Sequence, residues 1–238
     1  MRTLEQELEL ESFFSPTVLL ERILTDDDIR ELISIYDNSP NKIYKNTGPV
    51  TLDLTAEMLT HAAIRKIFTA VKDAVGEFQF MSGFFFEVTY PHIIHNDDSF
   101  MYPRTFKGMT IPLRIEREYE SESYPKLCFF EQYYLGGPSK FMKGSKNVPS
   151  YYNQILYEYD GVKNLVDTPF PDEIRSELMP HIRPANFEGL SFKESYDSIP
   201  GNVLVFDAVR LHAASDFRKV GITKKLGISI FTTKPVSN

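Results

Sequence analysis

Cysteine is nearly missing from this chain. Cys128 is the only one in 238 residues, so no disulfide can close within it. Basic excess is missing too: 26 Lys and Arg stand against 33 Asp and Glu, a net charge of −7. Backbone recognition of nucleic acid needs clustered cations, so this balance argues against a nucleic-acid partner. No apolar run approaches membrane-spanning length. The first residues, Met1-Arg2-Thr3-Leu4-Glu5-Gln6-Glu7, show no apolar leader. Tryptophan is absent, which decides nothing about function. Internal repeats and low-complexity runs are also lacking. Together these absences point to a reducing, cytoplasmic setting and to a small molecule or a protein side chain as substrate. They leave oligomeric state open.

Apolar residues make up 42% of the chain, with 19 Phe and 13 Tyr, enough for a substantial core. One domain over 1–238 is expected. Its N-terminal 17–76 reads as a helical support region. Thr25 is the N-cap of a first helix, with Asp28 at the capping-box position, and Ile29, Leu32, Ile33 and Tyr36 share one face. That helix should stop before Pro40. A second helix is expected after Thr55, with Leu59, Ala63, Ile67, Val71 and Ala74 at helical intervals. His61 falls in it as a structural or solvated residue. Residues 1–16 read as an arm or short edge strand.

From Phe78 the pattern becomes β. Phe84 to Tyr90 is rich in strand formers. Met109 to Glu116 alternates Ile111, Leu113 and Ile115 against Thr110, Pro112 and Arg114, with Pro112 marking an edge or a bulge. Leu127 to Tyr134 is a further strand. Residues 136–190 are too long for a simple loop and read as an insert or lid. The last strand is expected over 225–232.

Three residues carry the chemistry. His95 and Asp97 stand at i and i+2, so on an extended segment both side chains point the same way. His212 lies just past the apolar run Val203-Leu204-Val205-Phe206, which follows the Pro200-Gly201 turn. Two histidines and one carboxylate make the facial triad that holds Fe(II) and leaves the opposite face open. Asp98 competes with Asp97 as ligand, and a His92/His95 pairing would suggest zinc or a cupin-type site. His181, beside Pro180, is expected in a loop. Asp207 is expected to hydrogen-bond locally at its strand end.

With these pieces the chain resembles the Fe(II)/2-oxoglutarate-dependent oxygenases over roughly 80–232. The carriers are His95-x-Asp97, the Pro200-Gly201 turn and strand, His212, and a basic residue about a dozen positions further on. The resemblance implies a double-stranded β-helix, a jelly roll of cupin type, mainly β with helices packed on its larger sheet. It implies Fe(II) on His95, Asp97 and His212, 2-oxoglutarate as co-substrate, ascorbate as a reductant, and hydroxylase chemistry. Related halogenases replace the carboxylate ligand with a small residue, so Asp97 favours hydroxylation. The alternative is a cupin-like metal-binding protein without oxygenase activity.

The same resemblance assigns the far carboxylate of 2-oxoglutarate to a cation on the last strand. Many members carry Arg followed two residues later by Ser or Thr; here Lys225 is followed by Gly227, and Ser229 comes two further on. Lys225, Gly227 and Ser229 share one strand face, opposite Leu226, Ile228 and Ile230. Lys225 with Ser229 is thus the expected anchor, Lys224 being its one-residue-slip competitor. Arg114 is a second candidate, or else an ion-pair partner of Glu116 or Glu131. Tyr90 is expected to line the co-substrate pocket or to be a plain core residue, and Arg218 to contact substrate or solvent.

Overall fold

The computed structural model describes residues 15–45, 48–99, 104–135, 137, 139–141, 155–156 and 162–235. Six strands form one antiparallel sheet: β1 (Val18–Leu20), β2 (Val50–Asp53), β3 (Gln79–Val88), β5 (Lys107–Arg117), β11 (Val203–Asp207) and β13 (Ile222–Thr233), in the order β1-β11-β5-β13-β3-β2. The second sheet runs β10 (Phe192–Asp197), β6 (Lys126–Tyr134), β12 (Arg210–Ala214), β4 (His95–Asn96), β7 (Ser139–Phe141) and β8 (Ile155–Leu156), with β9 (Val162–Lys163) on β6. Consecutive strands change sheets: β3 to β4, β5 to β6, then β10 through β13 in alternation. That alternation is the double-stranded β-helix.

Helices cover the six-stranded sheet, as expected. Among the described residues it has fewer strands than the other sheet but holds the three longest, with 10, 11 and 12 residues in β3, β5 and β13. Helix α1 (Asp26–Asn38) starts at the expected capping box: Asp28 N–H donates to the Thr25 hydroxyl, and the Asp28 carboxylate accepts from Thr25 N–H. The same carboxylate accepts from Lys66 at 2.7 Å, tying α1 to the next long helix. The expected second helix is two. Thr55 caps a short α2 (Ala56–Leu59), and His61 restarts the chain by accepting from Ala63 N–H at its ring, capping α3 (Ala62–Val75). Leu32, Tyr36, Ile64, Ile67 and Val71 interlock with Phe85, Met109, Ile111, Leu226, Ile228 and Ile230 of the sheet. Truncating one such buried side chain to Ala costs about 2–5 kcal/mol.

Between the sheets lie Phe129, Leu204 and Phe206. The outer face of the second sheet is covered by the described end of the 136–190 insert. Val162, Met179, Ile182, Phe187 and Leu190, around α4 (Asp172–Leu178), pack on Ile94, Cys128, Phe130 and Leu211. This half of the insert is a packed layer; 142–154 and 157–161 lie outside the described residues, as does most of the 1–16 arm. The edge strand falls after that arm, at β1. Among the described residues no helix is long and apolar enough to cross a membrane.

Candidate metal centre

His95 and His212 sit directly opposite each other across the β4–β12 ladder. Their ring centroids are 4.2 Å apart. Each Nδ1 lies against the carbonyl two residues earlier, His95 on Ile93 at 2.8 Å and His212 on Arg210 at 3.0 Å. A carbonyl can only accept, so Nδ1 carries the proton and Nε2 is left with its lone pair. Both Nε2 atoms face the Asp97 carboxylate, at 3.7 Å from His95 and 3.4 Å from His212.

One ligand atom from each of the three lies within 4.8 Å of the other two. Bonds of about 2.0–2.2 Å to one ion, at right angles, would hold such atoms about 3 Å apart. The donor set fits a metal, and a short approach of the three ligand atoms would bring them to one ion. Protonation states fit too. Burial pushes the His95 imidazole well below its usual range, and the neighbouring His92 and His212 rings push the same way. Burial alone would raise the Asp97 carboxyl, but the His212 ring beside it and its hydrogen bond bring the net shift down. Neutral imidazole and carboxylate are the forms that ligate.

The backbone fixes this arrangement. Asp97 N–H donates to Ala208 O at 2.7 Å, in the turn between β11 and β12. The side-chain amide of Asn96, between the two ligands, donates to Tyr134 O and Gly137 O, each at 3.0 Å. The rings of Phe206 and Phe129 pack with their centroids 4.8 and 5.7 Å from that of His212, making an apolar wall. Asp98 turns away and pairs with Arg104, whose Nε donates to it at 3.0 Å. His92 lies beside the site, its ring 4.0 Å from that of His95, but outside the ligand trio.

Lys225, Gly227 and Ser229 share the face opposite the Leu226, Ile228 and Ile230 core, as the strand period requires. The Lys225 ammonium stands 5.5 Å from the Phe217 ring and makes no ion pair among the described residues. Desolvation brings its pKa down to about 8. Lys224 points the other way, 3.4 Å from Glu116 and 3.7 Å from Glu87.

Arg114 is not brought to this site. The β13–β5 register shifts between Leu226 and Gly227, opposite Arg114 and Pro112, leaving Leu113 as an extra residue. This bulge, beside a proline that has no N–H to give, turns Arg114 to the helical side. There it meets Asp37 at 2.7 Å, Glu87 at 3.2 Å and Glu116 at 3.4 Å. Tyr90 is 70% exposed, with the Arg218 guanidinium 5.1 Å from its ring centre. Arg218 is in turn gripped by Asp216 at 2.8 and 2.9 Å. His181 lies in the loop after α4, as expected. Asp207 bonds to distant residues, Lys107 and Ser15, and not locally.

Two residues near the site gave no signal in sequence. Gly108 lets β5 approach it: a Cβ there would stand 2.8 Å from the Phe206 ring and 3.4 Å from an Asp97 carboxylate oxygen. Thr110 pairs with Ser229, adding a second hydroxyl to that face.

No family model matches the sequence, and no curated protein sequence does. Solved structures do match. SnoN, a non-heme alpha-ketoglutarate-dependent epimerase from nogalamycin biosynthesis, aligns over 96% of this chain and 84% of its own, with a TM-score of 0.52 at 12% identity. SnoK, a carbocyclase of the same biosynthesis and dependence, aligns over 98% and 85%, with a TM-score of 0.52 at 9% identity. HygX from Streptomyces hygroscopicus, with nickel and 2-oxoglutarate bound, aligns over 99% and 89%, with a TM-score of 0.50 at 10% identity. At such identities the likeness is one of fold. This chain has a double-stranded β-helix fold and shares it with these three structures.

Proposed function

We propose that the chain is an Fe(II)- and 2-oxoglutarate-dependent oxygenase that hydroxylates its substrate. The observation that carries this reading is the trio itself: two imidazole Nε2 atoms and one carboxylate, converging with both Nδ1 atoms tied back to carbonyls. Such a set suits Fe(II) and leaves half of an octahedral sphere open. When bound, the iron would supply activation of O₂ coupled to decarboxylation of 2-oxoglutarate to succinate and CO₂.

The chain's own residues would do the rest. His95 and His212 present Nε2 in a fixed tautomer, and Asp97 supplies the negative ligand. Phe129 and Phe206 pack against one side of His212 and would shield it from water. Lys225 would hold the far carboxylate of 2-oxoglutarate, with the Ser229 hydroxyl on the same face. A desolvated cation without an acidic partner is costly unless an anion answers it. A dicarboxylate answers it. A small organic molecule is the favoured substrate class, since SnoN and SnoK both belong to the biosynthesis of one; a protein side chain is the other class. Asp97 as a full carboxylate ligand favours hydroxylation.

The test is turnover without prime substrate. Protein supplied with Fe(II), ascorbate, O₂ and 2-oxoglutarate should release succinate slowly, and His212→Ala should not. Equal release by both would remove the oxygenase reading. Metal binding without succinate would leave a cupin-like metal-binding protein.

A further inference from the structure

Lys107 and Asp207 form an ion pair in which both side chains are only 2% exposed. They face each other across the β5–β11 ladder. Ser15 closes the group: the Lys107 ammonium donates to its hydroxyl at 2.6 Å, and its N–H donates to the second carboxylate oxygen of Asp207 at 3.0 Å. A buried ion pair of this kind adds little stability over a well-packed apolar pair of similar volume. Stability alone therefore does not account for it.

Its position does. Asp207 is the last residue of β11, and the turn that follows carries the backbone of the metal site. Ala208 O accepts from Asp97 N–H at 2.7 Å, Ala208 N–H donates to Phe106 O at 3.4 Å, and Val209 O accepts from Tyr134 N–H at 2.9 Å. Phe106 directly precedes Lys107. Lys107 itself is held by Thr232, whose hydroxyl accepts from its N–H at 3.2 Å and donates to its carbonyl at 3.3 Å. Both ends of the ion pair are thus anchored in β strands, and the pair clamps the start of the turn.

We infer that Lys107 and Asp207 are positioning residues for the Asp97 carboxylate. Their ion pair sets the turn, the turn sets Ala208 O, and Ala208 O sets the backbone of Asp97. The inference rests on the metal reading of the trio. It predicts that metal affinity depends on the pair's charge and geometry, beyond any effect on folding.

The test is Co(II) binding by the metal-free full chain, read from the visible absorption of the bound ion, beside the melting temperature of the same preparations. Variants are Asp207→Asn, Lys107→Met, and Lys107→Met/Asp207→Leu, in which an apolar pair replaces the charges. The double variant is expected to melt near the wild type. It should nevertheless bind Co(II) on the order of tenfold more weakly, within the range for residues that support ligands from behind. Its Co(II) spectrum should also shift, because one ligand is displaced. A double variant with wild-type melting, affinity and spectrum would overturn the inference while leaving the metal site intact. A wild type that binds no Co(II) at the trio, equal to His212→Ala, would overturn both. If the double variant does not fold, Lys107→Arg decides, since it keeps the charge and changes the geometry. A shifted spectrum at unchanged melting supports the positioning role, and an unchanged spectrum overturns it.

Discussion

His95 and His212 use one device twice. Each imidazole donates its Nδ1 proton to the carbonyl two residues back, and each therefore offers Nε2 to the same carboxylate, Asp97. The two rings come from strands paired in one ladder, so backbone hydrogen bonding sets their separation before any ion arrives. In a site built this way the backbone sets the ligands side by side, and a metal would only have to draw the three ligand atoms together.

The anchor makes the sharpest electrostatic prediction. Lys225 has its pKa lowered to about 8 by desolvation, from an ordinary 10.5. The lowered value disfavours the charged form, so the cation is complete only below about pH 7 and is lost as pH rises through 8. If that cation holds the far carboxylate, the Kd for 2-oxoglutarate should be flat below about pH 7. Above 8 it should rise by about tenfold per pH unit. Lys225→Arg should flatten the profile, since a guanidinium does not titrate there. Lys225→Ala should weaken binding on the order of ten- to a hundredfold. Lys224→Ala should change it little, because Lys224 faces Glu87 and Glu116. Isothermal titration across pH reads all of these.

Arg114 should matter for stability alone. It links the end of α1 to the sheet through Asp37, Glu87 and Glu116, at about a quarter exposure. Partly exposed pairs contribute about 0–1 kcal/mol each. Arg114→Ala should lower the denaturation midpoint modestly and leave the 2-oxoglutarate Kd unchanged. A large loss of 2-oxoglutarate affinity at unchanged stability would restore Arg114 to the site.

Gly108→Ala should disturb the site from behind. The added methyl would meet the Phe206 ring at 2.8 Å, and Phe206 is packed against His212 and Phe129. Overpacking of this kind costs about 1–3 kcal/mol. Chemical denaturation should show that loss, and Co(II) affinity should fall with it. Unchanged affinity would mean that Phe206 moves without carrying His212.

The parts of this molecule that sequence shows are those governed by short periods. The i/i+2 spacing of His95 and Asp97, the capping box at Thr25 and the face of Lys225 follow from local geometry. The run Val203–Phe206 is a buried strand, β11, but His212 is not at its mouth: it lies within β12 of the other sheet, placed by its pairing with His95. What sequence conceals is register. Ile111, Leu113 and Ile115 alternate perfectly on paper. One bulge beside Pro112 nonetheless sends Arg114 to the helices and Ile115 to the face of Lys225. Asp207 looks like a local strand-end residue, because its partners Lys107 and Ser15 are distant in sequence. Thr60 and His61 split a helix that apolar spacing alone makes continuous, since a histidine cap leaves no periodic trace.

We propose that His95, Asp97 and His212 hold Fe(II) in a form that accepts 2-oxoglutarate. An anaerobic titration tests it most directly, with Fe(II) added first and 2-oxoglutarate second, followed by visible absorption. A keto acid chelated to Fe(II) in this fold should give a broad charge-transfer band that saturates at one equivalent. The band should be absent in His212→Ala. A wild-type chain that shows no band with both components present, or a His212→Ala variant that keeps it, would contradict the account.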